Sequence, residues 1–168
     1  GVLHPITQGE WEVTDFVGLR GDKVYYISTE SSPLKRDLYR VGLDGKHKER
    51  LTPGDGYYSI YPSADLSYYI CEGGDSSAPG RTDVFNAAGK RVRTLYDNAP
   101  LKEALVEAGL PVREFFTFTT ERGDELNVYM LKPLDFDPAK RYPVLLTQYS
   151  GPGSQQVAEG WGPDWEDA

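Results

Sequence analysis

The sequence predicts a mainly β chain in which two four-stranded β-propeller blades precede the first strands of an α/β domain. Three observations predict it. A unit of strands and tight turns occurs twice, at a period near forty-four residues; glycine-bearing turns separate runs rich in tyrosine, valine and threonine; and the last apolar run, PVLLTQY (143–149), is continuous rather than alternating. Short strands at regular spacing are the mark of propeller blades. A continuous apolar strand belongs instead to a sheet covered on both faces.

The first unit reads as WEVTDFVG (11–18), KVYYIST (23–29), DLYRVGL (37–43) and HKERLT (47–52), with turns at Gly21-Asp22 and Asp44-Gly45. The second reads as YYSIYPS (57–63), SYYICEG (67–73), TDVFNAA (82–88) and RVRTLYD (91–97). Val24-Tyr25-Tyr26-Ile27 is echoed by Ser67-Tyr68-Tyr69-Ile70, and Gly45-Lys46 by Gly89-Lys90. Asp-Gly between two β-rich runs predicts a type I′ hairpin, which needs positive φ at both central residues. An ordinary antiparallel sandwich is the alternative to the blades. Two blades cannot close a ring, because each buries its faces against its neighbours, so a piece of a larger protein is expected.

After Asn98 the pattern changes. PLKEALVEAG (100–109) predicts a short helix, with Leu101, Ala104, Leu105 and Ala108 at helical spacing, Pro100 near the start and Gly109 at the stop. VREFFTFTT (112–120) and LNVYMLKP (126–133) predict two strands about a turn at Gly123-Asp124, and PVLLTQY predicts a third, buried on both faces. The expected organisation is two blades over residues 1–98, a helical linker over 99–111, and the beginning of a second domain over 112–168.

Composition narrows the function classes. A net charge of −8 argues against nucleic acid and anionic membranes as partners, since phosphate binding favours a basic surface. The single cysteine, Cys71, excludes an intrachain disulfide and a thiolate metal cluster, and its strand neighbours predict a half-buried thiol rather than a nucleophile. No metal or cofactor is expected. No run of eighteen apolar residues occurs, and GVLHPITQGEW has no basic stretch leading into an apolar one, so no signal peptide is expected there.

A self-contained catalytic triad is not expected either. No G-x-S-x-G occurs; the nearest approach, Gly74-Asp75-Ser76-Ser77-Ala78, lacks the closing glycine. His4 and His47 are the only histidines, and both are expected at the surface. Glu166 and Asp167 could suggest a glycosidase carboxylate pair, but are expected to open a surface helix.

ITQGEWEVTDFVG, VYYIST, LYRVGLDG and KPLDFDPAKRYPVLLTQYSGPGSQQV, in that order, give the chain a family resemblance. It resembles the dipeptidyl peptidase IV branch of the prolyl oligopeptidase family of serine peptidases, most sharply from Lys132 to Val157. The resemblance implies an eight-bladed propeller over an α/β-hydrolase domain, of which this chain would supply the last two blades and the first hydrolase strands. Serine, aspartate and histidine of the triad would then lie beyond Ala168, and the glutamate pair that grips the substrate amino terminus would lie in an earlier propeller segment.

The resemblance also gives Tyr149 a role. In this family a tyrosine hydroxyl at the end of an early strand donates to the oxyanion, and Tyr149 in QYSGPGSQ occupies that position. Gly151-Pro152-Gly153 would leave room for a ligand backbone. Ser150 and Ser154 are expected as turn residues. Gln155 and Trp161 either line the entrance or order the loop. The implied activity is removal of N-terminal dipeptides from peptides with penultimate proline; prolyl tripeptidyl and acylaminoacyl peptidases of the same family are alternatives, and a non-catalytic propeller binding module is the alternative from another class. The implied partners are such peptides and a second copy of the intact enzyme, at a periplasmic or cell-surface location. The 168-residue chain alone is expected to be inactive and to self-associate.

Overall fold

The expected repeat is present as two four-stranded antiparallel sheets, each running in simple sequence order. The computed structural model describes residues 3–149, 151 and 153–162. The first sheet comprises β1 (Val13–Arg20), β2 (Lys23–Ser28), β3 (Asp37–Gly42) and the two-residue β4 (Glu49–Arg50). The second comprises β5 (Tyr57–Pro62), β6 (Tyr68–Gly74), β7 (Arg81–Asn86) and β8 (Arg91–Tyr96). The sheets meet where Arg36 bridges Tyr57 in parallel and the Tyr58 amide donates to the Arg36 carbonyl at 3.1 Å.

The repeat is most literal in its aromatic pairs. Tyr26 stacks on Tyr39 across β2 and β3 with ring centroids 5.7 Å apart, and Tyr69 stacks on Phe85 across β6 and β7 at 5.3 Å. Two residues further along each ladder stand Ser28 opposite Asp37 and Cys71 opposite Asp83, so a buried aspartate recurs at one register in both sheets. Asp37 accepts from the hydroxyls of Ser31 and Thr52, with Arg50 at 3.8 Å; Asp83 faces Arg81 at 3.4 Å and Arg91 at 3.8 Å. Each buried carboxylate thus keeps a hydrogen-bonding or cationic partner, as burial of charge demands.

The core lies between the sheets. Tyr25, Leu38 and Leu51 of the first pack against Tyr58, Tyr69, Cys71 and Phe85 of the second. Two phenols cross the seam in opposite directions: the Tyr25 hydroxyl donates to the Ala87 carbonyl and the Tyr69 hydroxyl to the Leu51 carbonyl, each at 3.1 Å. On the other face of the first sheet, Tyr26, Tyr39 and Val41 are covered by Trp11 and Val24. Because Tyr25 and Tyr26 point to opposite faces, β2 needs apolar side chains at consecutive positions, and VYYI supplies them.

Two expectations about detail are corrected here. The Asp44-Gly45 turn is not type I′: Gly45 has φ 76° while Asp44 keeps an ordinary φ, and Gly45 N–H donates to the Gly42 carbonyl. This is a three-residue loop, a type I turn followed by a left-handed glycine. Gly89 repeats it, with φ 76° and its amide on the Asn86 carbonyl, so the glycine is needed for one left-handed residue only. Cys71, expected half-buried, is 3 % exposed; its neighbours in sequence are strand residues, but the cover comes from the facing sheet.

Burial sets a pH dependence. Desolvation, and then the nearby Asp83 and Asp37 charges, push the Cys71 thiol up to about 12. Desolvation likewise pushes the Tyr58 phenol up to about 12. A raised folded-state pKa favours folding below the unfolded value, about 8.5 for cysteine and 10 for tyrosine, and that advantage is lost as pH rises toward about 12. The urea midpoint is therefore expected to fall steadily above about pH 9, and to fall less steeply in Cys71→Ala. A midpoint unchanged from about pH 8 to pH 11 would contradict the assignment.

The segment after the second sheet departs most from expectation. The helix forms as α1 (Ala99–Ala108), closed by Gly109 at φ 65°, whose amide donates to Leu105 and Val106. Two of the three expected strands form an antiparallel hairpin, β9 (Glu114–Thr119) and β10 (Glu125–Met130). The third does not: residues 143–149 carry no ladder, and Val144, Leu145 and Leu146 are 88 %, 88 % and 80 % exposed. An apolar run becomes a buried strand only through partners on both sides, and among the described residues none runs beside it.

Candidate active-site segment

The segment that carries Tyr149 begins in a folded loop. Phe136 stacks on Tyr142 at 5.1 Å, and the Asp137 amide donates to the Tyr142 hydroxyl at 2.9 Å, which fixes the turn before Pro143. From there the chain runs in the open to Tyr149, which is 64 % exposed. Among the described residues no group hydrogen-bonds its hydroxyl. Its ring lies over Gly151: a Cβ on that glycine would sit 2.5 Å from the ring Cε1 and 3.2 Å from the hydroxyl oxygen. A side chain there would displace the ring, which is a local reason for glycine at 151.

Beyond Gly151 the loop closes and docks. Ser154 N–H donates to the Gly151 carbonyl at 3.1 Å, so Ser154 is a turn residue as expected. Gln155 then reaches across to the first sheet. Its Nε2 donates to the Pro33 carbonyl at 2.6 Å and to the Val157 carbonyl at 2.8 Å, while its Oε1 accepts from Arg36 Nη2 at 2.9 Å. Glu159 adds a second attachment: its amide donates to the Leu34 carbonyl at 2.9 Å and its carboxylate lies 3.2 Å from Lys35. Arg113, just before β9, donates to the carbonyls of Gly160 and Gly162 at 3.3 and 2.9 Å.

The open choice at Gln155 and Trp161 is thereby narrowed. Gln155 orders the loop. Trp161 lies with Gly160 beside Tyr57, Ser59 and Glu72, lining a shallow cleft of about 230 Å³. Neither attachment could be read from the sequence, because the partners on the two sheets lie far from the loop along the chain; the only signal was a glutamine in a Gly/Pro loop, which is weak.

The other candidates fall elsewhere. His4 and His47 are both exposed, far in sequence from Tyr149. Ser77 bonds to Asp75 through its amide and hydroxyl, which makes the Gly74–Ala78 stretch a turn within the second sheet and not a nucleophile elbow. Cys71 is enclosed in the core. Ser150, Glu166 and Asp167 lie outside the described residues. Among the described residues no group of three or more potential metal ligands occurs, and no helix is long and apolar enough to cross a membrane.

What the arrangement offers chemically is an accessible phenol donor at the end of an exposed segment, backed by glycine, on a loop anchored to the sheets. Comparison with known proteins gives that donor a context. Residues 2–79 match the family described as the dipeptidyl peptidase IV N-terminal region. The chain is 37 % identical over 164 residues to a probable dipeptidyl peptidase 4 of Emericella nidulans, covering 94 % of this chain and 21 % of that protein. It is 38 % identical over 168 residues to a probable dipeptidyl-aminopeptidase B of Aspergillus niger, covering 96 % of this chain and 18 % of the other. A crystal structure of Porphyromonas gingivalis dipeptidyl peptidase 4 superimposes with a TM-score of 0.91 at 38 % identity, over 99 % of this chain and 24 % of that one. The chain spans about a fifth of the length of the curated relatives it matches.

Proposed function

The chain belongs to the dipeptidyl peptidase IV family, and on that premise we propose that it is part of a serine exopeptidase that releases N-terminal dipeptides, preferring proline at the penultimate position. In this reading Tyr149 donates its hydroxyl to the oxyanion formed when the catalytic serine attacks the scissile carbonyl. The observation that carries it is the placement of Tyr149: an exposed phenol, without a hydrogen-bond partner among the described residues, at the end of a segment that carries no ladder, with a glycine beneath its ring. A preorganised neutral donor aimed at developing negative charge is what acyl transfer requires. Serine, aspartate and histidine, and the two sheets' companion blades, are supplied by the rest of the protein. The dipeptidyl names of the relatives favour this specificity over a prolyl tripeptidyl or acylaminoacyl one.

The test is the intact enzyme with a Gly-Pro chromogenic substrate, which should be cleaved to the dipeptide and blocked by an active-serine reagent. Release of a tripeptide, or insensitivity to that reagent, would overturn the reading. In the same reading the intact enzyme is a homodimer at a periplasmic or cell-surface location. The 168-residue chain alone is inactive and self-associates through residues 143–149 or the face of residues 11–29, since bare apolar strands seek partners. A monomer by light scattering, with 143–149 as protected from hydrogen exchange as 23–29, would refute the association; turnover by the chain alone would refute its inactivity.

A further inference from the structure

A donor in an oxyanion site has to be held to within a fraction of an ångström of its working position, yet the segment that delivers Tyr149 has no ladder among the described residues. Its attachment comes from the other side. The Tyr149 ring rests on Gly151, the Gly151 carbonyl accepts from Ser154, and the next residue, Gln155, is fixed by three hydrogen bonds to Pro33, Val157 and Arg36. Both hydrogens of the Gln155 amide group and its oxygen are engaged, which leaves it a single orientation.

The anchor is itself well founded. Arg36 also donates to the Lys35 carbonyl at 2.8 Å, its guanidinium lies 5.5 Å from the Tyr57 ring centroid, and its backbone forms the bridge that joins the two sheets. The loop is therefore tied at the seam between sheets, where the core is continuous on both sides, rather than at a free edge. Lys35 and Glu159 reinforce the same junction.

We propose that Gln155 is a positioning residue for Tyr149, with Arg36 and the Pro33 carbonyl as its anchor on the first sheet. The inference rests on the reading of Tyr149 as the oxyanion donor and adds to it the part that sets the donor's place. The link couples the propeller-like sheets to the reacting centre through one side chain. It acts on the chemical step, because a displaced donor weakens transition-state binding more than substrate binding.

The experiment is a double-mutant cycle in the intact enzyme. Gln155→Ala is expected to lower kcat by about 10–100-fold with little change in KM, the scale of loss that a misplacement of about 1 Å produces. Arg36→Ala should follow in direction, and Gln155→Glu, which keeps the acceptor for Arg36 but loses both donor bonds, should fall between. In a Tyr149→Phe background, Gln155→Ala should change kcat by less than about twofold, because the group it positions is already missing. Hydrogen exchange at β2 and β3 should match the parent in each variant, which separates positioning from loss of fold. An unchanged kcat in Gln155→Ala overturns the inference, as does an equal loss in both backgrounds. If Tyr149→Phe alone leaves kcat unchanged, the oxyanion reading fails and this inference with it; if Tyr149→Phe is slow and Gln155→Ala is not, only the positioning role fails.

Discussion

Replacing Tyr149 by phenylalanine in the intact enzyme is expected to lower kcat by about 10²–10³, equivalent to about 2.7–4 kcal/mol of lost transition-state stabilisation, with KM little changed. The ring remains to rest on Gly151, so the substitution removes the hydroxyl and leaves the loop's packing in place. The hydroxyl is accessible, and among the described residues it has no competing acceptor, so nothing within this segment has to be released before it can donate. A Tyr149→Phe enzyme with unaltered kcat would reduce Tyr149 to a residue that packs on its own loop.

The two sheets were legible in the sequence because they are local: Gly-bearing hairpins and doubled tyrosines fix strand pairs within a few residues of one another. The sequence shows the place of the Gly45 hairpin but not its type, since Asp-Gly suits both a two-residue and a three-residue loop and only the backbone tells them apart. The aspartates at 37 and 83 were not singled out, because a lone acidic residue in a strand shows nothing of its burial or of Arg50, Arg81 and Arg91 beside it. PVLLTQY announced a strand buried on both faces, a property that belongs to its neighbours as much as to itself. The motif around Tyr149 singles that residue out in the sequence, whereas nothing local singles out Gln155. Its meaning lies in contacts with Pro33 and Arg36, and no local pattern encodes them.

Phe85→Ala is expected to cost the seam between the sheets about 3–5 kcal/mol, the range for removing a buried aromatic side chain. Phe85 is 4 % exposed and sits in the cluster that joins Tyr25, Leu38 and Leu51 to Tyr58, Tyr69 and Cys71. Its loss removes the stack on Tyr69, whose rings lie 8° from parallel, and leaves a void bordered by residues of both sheets. The phenols of Tyr25 and Tyr69 tie each sheet to a carbonyl of the other, so the walls cannot close over the void without breaking those bonds. Incomplete collapse is what places a core substitution at the costly end of its range. Phe85→Leu should cost less, since it retains most of the apolar area. The measurement is native-state hydrogen exchange of the intact enzyme at the amides of β2, β3, β6 and β7, which should lose protection together because one cluster holds them. A cost below about 1 kcal/mol, or a loss confined to β7, would mean that the seam is not a shared core and that each sheet stands without the other.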